Sequence, residues 1–226
     1  WKGAYIYIYG KTMKKKLLSL ILVAAFILGT VFVQPVEMKA ATTSLYGSAE
    51  EEKDVYNLTD GYGQVGTVVY NKKINTEKTT TITFKYYSKA TDGTEGAMWA
   101  TFTSYKVKEA LRGIGTKDAK NTYAVEFDPS TGTGDPSYYH IAVVQEKVTN
   151  HLNYVKSSKM LDEKWHTAKI KVSSDKLVVY VDSKKVLSTK VSLPKYVYFS
   201  INAYAGKFFY IDQKVKDVSI ESEKEK

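Results

Sequence analysis

The sequence predicts an all-β protein whose antiparallel strands form a sandwich or a barrel. Short stretches that alternate between apolar and polar residues recur about every ten residues, with tight polar turns between them. The chain carries 19 tyrosines, a side chain that suits half-buried sheet positions because its ring packs while its hydroxyl stays in water. Helical periodicity is nearly lacking. This combination favours all-β over parallel α/β folds.

The first forty residues are predicted to be removed before folding. We interpret residues 1–12 as upstream reading frame, because they precede Met13, the only plausible start. Residues 13–40 have the order of a secretory signal peptide, with lysines, then the apolar run 17–33, then the small residue Ala40 at a cleavage point. An uncleaved anchor is the alternative, since the run approaches the roughly 18 residues that span a bilayer. We therefore expect a secreted protein without membrane attachment after cleavage.

Residues 41–59 are polar and are predicted to lead into the folded domain, although Leu45-Tyr46 and Val55-Tyr56 could pair at its edge. Residues 60–226 are predicted to form a single β-sandwich domain. Much of the formal charge of +9 lies in the signal-like segment, and the remaining lysines are scattered. A nucleic-acid partner is therefore not expected, because it would require a clustered basic face.

The clearest strand is 79–87, which places Ile82, Phe84 and Tyr86 on one face. The sequence also allows a short helix between Ser104 and Leu111. The other stretches with strand-like patterns, in chain order, are 66–71, 97–103, 122–128, 139–144, 165–172, 176–182, 186–190, 196–203, 207–211 and 217–222.

Three acids and a histidine gather around one glycine-rich turn within residues 121–144. Strand alternation places Glu126 and Asp128 on the same face. If 122–128 pairs with 139–144, the loop brings Asp135 and His140 back toward them. Because the chain has no cysteine, carboxylates and histidines are the only strong metal ligands available. This set suits a divalent cation better than catalysis.

Three stretches together resemble the L-type (legume-type, concanavalin A-like) lectins. YAVEFD at 123–128 followed by GDPSYYHI at 134–141 is similar to the metal-binding stretch of that family. WHTAKI at 165–170 followed by LVVYVD at 177–182 resembles its W-H-x-x-x-I and L-x-V-x-x-D hairpin, and 196–206 resembles its V-G-F-S-A-x-T-G strand. The resemblance implies a concanavalin A-like jelly-roll sandwich of two antiparallel sheets, in a secreted bacterial protein.

The resemblance also implies a metal site. Glu126, Asp128, Asp135 and His140 would bind a transition metal such as Mn²⁺, with Asp128 and Asp135 shared with an adjacent Ca²⁺. Calcium prefers 6 to 8 oxygen ligands, whereas imidazole with carboxylates suits manganese or zinc. In these lectins the metals fix the loop that contacts sugar. A surface turn with solvated acids and an incidental histidine is the alternative.

The sugar contacts depart from the pattern of the family. The loop 129–134 has no asparagine, so Ser130 or Thr131 would replace that residue as a calcium ligand and sugar contact. The sugar-binding carboxylate corresponds best to Glu95 in Glu95-Gly-Ala-Met-Trp99, with Asp92 as a rival. Acids also occur as ordinary turn residues, so a turn role is the alternative for both.

Three functions are compatible with these observations. The first is a secreted lectin-like module that binds a glycan or polysaccharide and is stabilised by metal. The second is a structural or adhesive surface sandwich without sugar binding. The third is a glycoside hydrolase of the E-x-D-x-x-E type, but Thr131 stands where its final acid is needed, so we expect no enzyme. His151 and His166 are interpreted as a surface and a packed strand residue. The sequence does not fix whether the chain forms a homo-oligomer.

Overall fold

The computed structural model describes residues 42–90, 95–115, 120–130, 132–136 and 139–223. The signal-like segment and the residues before it lie outside the described residues, and so do Asp92 and Thr131. Every regular element of the described part is a strand, and none of these residues belongs to an apolar helix of membrane-spanning length. The strands are β1 (Thr43–Gly47), β2 (Glu50–Glu52), β3 (Val55–Gly61), β4 (Val65–Asn75), β5 (Thr80–Ala90), β6 (Met98–Thr103), β7 (Tyr123–Asp128), β8 (His140–Gln145), β9 (Lys147–Lys156), β10 (His166–Val172), β11 (Lys176–Val181), β12 (Lys184–Lys190), β13 (Tyr196–Tyr204) and β14 (Ile211–Ser222).

The strands form two seven-stranded sheets in which all neighbours are antiparallel. The first sheet has the order β1-β4-β13-β6-β7-β8-β9, and the second has the order β12-β11-β10-β5-β14-β3-β2. Each sheet combines strands that are consecutive in sequence, such as β7-β8-β9 and β10-β11-β12, with strands from distant parts of the chain, such as β4 beside β13 and β5 beside β14. The predicted sandwich of two antiparallel sheets is confirmed.

The main core lies between the inner faces of the two sheets. Ile82, Phe84 and Tyr86 of β5 are fully buried there, whereas the intervening residues are half-buried. Phe127 of β7 meets them from the first sheet, with its ring centroid 6.0 Å from that of Phe84 and 4.7 Å from that of Tyr86. The alternation predicted for β5 and β7 is therefore confirmed, and it leaves the even-numbered residues of β7 on the opposite face.

That opposite face of the first sheet is covered by the segment 104–115. Ile114 joins Trp99 and Ala124 in a second apolar cluster, and Leu111 packs against Val69. The short helix suggested for 104–111 is not formed. The segment is instead hydrogen-bonded to the sheet, where the Leu111 amide donates to Thr67 Oγ1 of β4 at 2.8 Å.

The segment 41–59 is not a leader within its described part, which begins at residue 42. β1 pairs with β4, and β3 pairs with β14 and carries the fully buried Leu58. The alternative prediction, that Leu45-Tyr46 and Val55-Tyr56 pair with strands of the domain, describes these residues better. Polar residues are common in β1 and β2 because the side chains of these two edge strands are half-buried or exposed, so few positions must be apolar.

Two further strand predictions need correction. Residues 207–210 form a turn, and the last strand is the single long β14 rather than two short ones. β9 was not predicted at all. It is an edge strand in which most side chains are exposed or half-exposed, so its apolar alternation is weak.

Candidate metal centre and binding cleft

Three of the predicted ligands are placed by strand pairing. Asp128 lies opposite His140 in the β7–β8 pair, and Glu126 lies two residues earlier on the same face. All three side chains are buried, with His140 fully so. Asp135 approaches from the loop between the strands. The structure therefore brings Glu126, Asp128, Asp135 and His140 into one region, as the sequence predicts.

Glu126 is the centre of this region. Its Oε1 accepts a hydrogen bond from Trp99 Nε1 at 2.7 Å, across the β6–β7 pair. Its Oε2 lies 3.3 Å from Nε2 of His140 and 3.1 Å from Nε2 of His151. The two imidazole nitrogens therefore converge on one carboxylate oxygen, while the tryptophan holds the other oxygen.

The protonation of these groups reflects that contact. Burial raises the pKa of Glu126, but the hydrogen bonds and charges of His140 and His151 outweigh it, so the pKa lies below its usual value. Burial lowers the pKa of His140, and the hydrogen bond with Glu126 together with the charge of Asp128 raises it above its usual value. The acid and the imidazole therefore favour their charged forms in each other's presence.

Asp128 and Asp135 are in a less favourable environment. Burial, and next the negative charge of Glu126, raise the pKa of Asp128 to about 7, although the Ser130 amide donates to its Oδ1 at 2.6 Å. Burial is also the largest cause of the raised pKa of Asp135, whose Oδ2 accepts from the Gly132 amide. A divalent cation between these carboxylates would relieve both penalties.

Among the described residues, two groups of three have ligand atoms that all lie within 4.8 Å of one another. One is Glu126, His140 and His151, and the other is Asp128, Asp135 and His140. His140 belongs to both groups. The donor types fit the metals that the resemblance implies, with a nitrogen-rich group beside a carboxylate pair.

His151 is the residue that sequence reasoning missed, since it was interpreted as a surface residue. Its side chain is 6% exposed, and its ring lies 5.3 Å from that of His140. A regular hairpin turning at Glu146 would place it opposite Ile141, on the core side. Register shifts in β9 instead set His151 opposite Val144 and turn it toward Glu126.

A cleft of ≈ 340 Å³ adjoins these residues. Glu126, Asp128 and Asp135 line one part of it, and Ser130 lies beside them. The predicted sugar contact Ser130 is therefore at the cleft, whereas its neighbour Thr131 lies outside the described residues. The cleft and the candidate metal ligands therefore form one continuous site.

Glu95, the residue predicted as the sugar-binding carboxylate, also lines the cleft. Its Oε1 accepts from Arg112 Nη2 at 3.0 Å and from the Tyr204 hydroxyl at 3.1 Å. The Arg112 guanidinium stacks on the Tyr204 ring, 4.0 Å from its centroid. Neither of these partners was identified from the sequence, although Arg112 precedes Gly113 in a glycine segment. The rival Asp92 lies outside the described residues.

The backbone fixes the position of Glu95. Its carbonyl accepts from the Gly206 amide at 2.7 Å, so it is tied to the end of β13. The next residue, Gly96, has φ +141°, and a Cβ there would lie 2.2 Å from the Tyr204 carbonyl oxygen. Only glycine allows the chain to approach β13 this closely.

The third histidine, His166, lies apart from this site on β10. Its Nδ1 is 2.8 Å from Asp182 Oδ2, and its Nε2 is 2.9 Å from Asp162 Oδ1. The ring packs on Tyr86 at 5.6 Å. It is a packed strand histidine, as the sequence indicates.

No protein-family model matches the chain, and no curated protein matches it in sequence. Solved structures do match. The carbohydrate recognition domain of Emp47p gives a TM-score of 0.69 at 12% identity, over 83% of this chain and 92% of that domain. The metal-free form of lectin I-B4 from Griffonia simplicifolia gives 0.68 at 19% identity, over 85% and 97%. Lectin II from Ulex europaeus gives 0.65 at 16% identity, over 80% and 93%. The chain therefore has the legume-lectin-like, concanavalin A-like jelly-roll fold.

Proposed function

We propose that the chain is a secreted, non-catalytic carbohydrate-binding module of the lectin type, in which divalent metal holds the loop 129–135 at the cleft. One observation carries the proposal. The same cleft is lined by Glu95, which is paired with Arg112, and by the carboxylates Asp128 and Asp135. Polar hydrogen-bonding groups thus stand beside a candidate metal centre, in a concave surface of the size that small ligands occupy.

Glu95 and Arg112 offer the hydrogen-bonding groups that sugar hydroxyls require. A carboxylate has about four acceptor positions, and two of those on Glu95 are used by Arg112 and Tyr204. The side chain of Glu95 is 53% exposed, so its remaining positions can accept hydroxyl hydrogens. Arg112 supplies donors, and the exposed Val148 at the rim supplies an apolar contact. The ring of Tyr204 is covered by Arg112, so we assign the apolar contact to Val148.

The metal would act at the carboxylates Asp128 and Asp135, which also line the cleft. We assign Ca²⁺ to Asp128 and Asp135, with Ser130 near them, and a transition ion to the side of His140. Bound metal would remove the repulsion between the buried carboxylates and hold the loop in one position. Among the structural neighbours, lectin UEA-II is complexed with galactose, and the Emp46p carbohydrate recognition domain exists in metal-free and potassium-bound forms. These neighbours support a glycan as ligand.

The state of Glu126 argues against hydrolysis. A retaining glycosidase needs two accessible carboxyl groups about 5 Å apart. Glu126 is 1% exposed, and both of its oxygens are engaged by Trp99 and two histidines. It is not presented to a substrate as a nucleophile or an acid.

A glycan array probed with the purified protein in Ca²⁺ and Mn²⁺ tests the proposal. Glu95→Gln removes the charge and should weaken binding about tenfold or more, because hydrogen bonds to a charged group contribute about 1.5–3 kcal/mol each. Glu77→Gln is the matched control, since Glu77 is an equally exposed glutamate in an ion pair, with Lys195. Binding to no glycan at all would favour the structural or adhesive alternative. N-terminal sequencing of exported protein tests cleavage after Ala40.

A further inference from the structure

We propose that His151 converts the transition-metal position into a Glu–His–His site, formed by Glu126, His140 and His151, that binds Zn²⁺ in preference to Mn²⁺. The inference rests on the metal-binding part of the proposed function and deepens it. The ligand set implied by the lectin resemblance contains one histidine, so this second imidazole would change which metal the chain selects.

The geometry of the three atoms matches a coordination shell. Zn²⁺ binds histidine nitrogen at about 2.0–2.1 Å and carboxylate oxygen at about 2.0–2.2 Å, so neighbouring ligand atoms in a tetrahedral shell lie about 3.4 Å apart. The two nitrogens lie 3.3 and 3.1 Å from Glu126 Oε2. All three ligand atoms lie within 4.8 Å of one another, so small movements of the imidazoles would complete the shell.

The surroundings hold these three atoms in place. The side chains of Glu126, His140 and His151 are 2%, 0% and 6% exposed, so packing limits their rotamers. Trp99 holds Oε1 of the glutamate and directs Oε2 at the histidines, which is how outer partners orient a metal ligand. Glu126, His140 and His151 lie on the three consecutive strands β7, β8 and β9, a rigid base for a site.

The ligand chemistry sets the preference. Two imidazoles suit Zn²⁺, and the affinity of a given site rises from Mn²⁺ to Zn²⁺ in the general order of divalent metals. Ca²⁺ requires 6 to 8 oxygen ligands and gains little from nitrogen. A tetrahedral ion has a fourth position to fill, and Asp128 lines the cleft together with Glu126. Water or the Asp128 carboxylate would occupy that position.

Calorimetric titration of the chelator-treated protein with Zn²⁺ alone and Mn²⁺ alone tests the preference. The wild type should bind Zn²⁺ at least about tenfold more tightly than Mn²⁺. His151→Gln keeps a donor toward Glu126 but removes the imidazole, and it should weaken Zn²⁺ about tenfold or more while changing Mn²⁺ less than about threefold. His166→Gln, which removes another buried histidine with carboxylate partners, should leave both affinities unchanged. Equal Zn²⁺ affinity in the wild type and His151→Gln would overturn the proposal.

A second measurement needs no variant. X-ray absorption of the Zn²⁺-loaded wild type should show two imidazole ligands, and a single imidazole would refute the role of His151. Neither readout involves sugar. Loss of all glycan binding with an intact two-imidazole zinc site would therefore reject the proposed sugar function alone, whereas glycan binding without this zinc site would reject the inference alone.

Discussion

Replacement of Asp128 by asparagine should have opposite effects on the metal-free and the metal-bound protein. Burial and the charge of Glu126 raise the pKa of Asp128 from 3.8 to about 7, so its ionised form is disfavoured in the fold. Each pKa unit corresponds to about 1.4 kcal/mol. At pH 8, where the carboxylate is ionised in both states, this burial costs the metal-free protein up to about 4 kcal/mol. Asparagine is neutral, and it can still accept from the Ser130 amide.

The metal-free Asp128→Asn variant should therefore unfold at a higher temperature than the metal-free wild type. At about 2–4 °C per kcal/mol for a domain of this size, the rise should be roughly 10 °C. The wild type should gain about 2.7 kcal/mol when the metal concentration is 100 times its Kd, and the variant should gain less because it lacks a ligand of the Ca²⁺ position.

Differential scanning calorimetry at pH 8, with chelator and then with Ca²⁺ and Mn²⁺, measures both effects. Asp175→Asn serves as the control, because Asp175 is an exposed carboxylate in the turn between β10 and β11. A metal-free variant less stable than the metal-free wild type would show that the buried charge is not a penalty. A wild-type melting temperature that is unchanged by chelator would reject the metal assignment.

Three further changes test other parts of the structure. Burial raises the pKa of Asp182, but the hydrogen bond from Lys159 and others lower it to about 2, below the ordinary 3.8. Asp182→Asn should therefore destabilise the fold by about 1 kcal/mol above about pH 4, a value smaller than the full pKa shift would give because the carboxylate is 39% exposed. In urea titrations, the difference in stability from the wild type should vanish as the pH falls through about 2. Phe127→Ala, in the core between the sheets, should lower the free energy of unfolding by about 3–5 kcal/mol in the same titrations; a loss below about 1 kcal/mol would contradict its packing. Gly96→Ala should weaken glycan binding measured by calorimetry, because its Cβ would meet the Tyr204 carbonyl oxygen and displace the adjacent glutamate. Unchanged affinity would show that the position of this loop does not matter.

The sequence predicts the fold well where alternation reports burial. Strands β5 and β7 each have one face in the core, so their apolar residues recur at every second position. β9 escapes prediction because it lies at a sheet edge, where few positions must be apolar. The segment 104–111 lacks a strand pattern, and its conformation is set by contacts with β4, including the bond from Leu111 to Thr67, that are distant in sequence.

In the candidate site too, the sequence predicts the residues that local strand pairing places and misses those that distant contacts place. Glu126, Asp128 and His140 lie on two strands joined by one loop, so local pairing was sufficient to place them together. His151 depends on register shifts in β9, which leave no mark in the sequence. Arg112 reaches Glu95 from the segment that covers the sheet, and no periodic pattern predicts that contact.

The packing of strand β7 explains why Glu126 is held in place without metal, whereas Asp135 is held less firmly. Its odd-numbered residues are packed in the core, so Glu126 between them has little freedom. The histidines beside it are held by the neighbouring strands and by packing. Asp135 has only local support, from its hydrogen bonds with Gly132 in the loop beyond the strand end. Metal binding should therefore change little at Glu126 and should chiefly fix the position of Asp135. Asp135 lines the cleft, so the energy of metal binding acts on the surface where a sugar would bind.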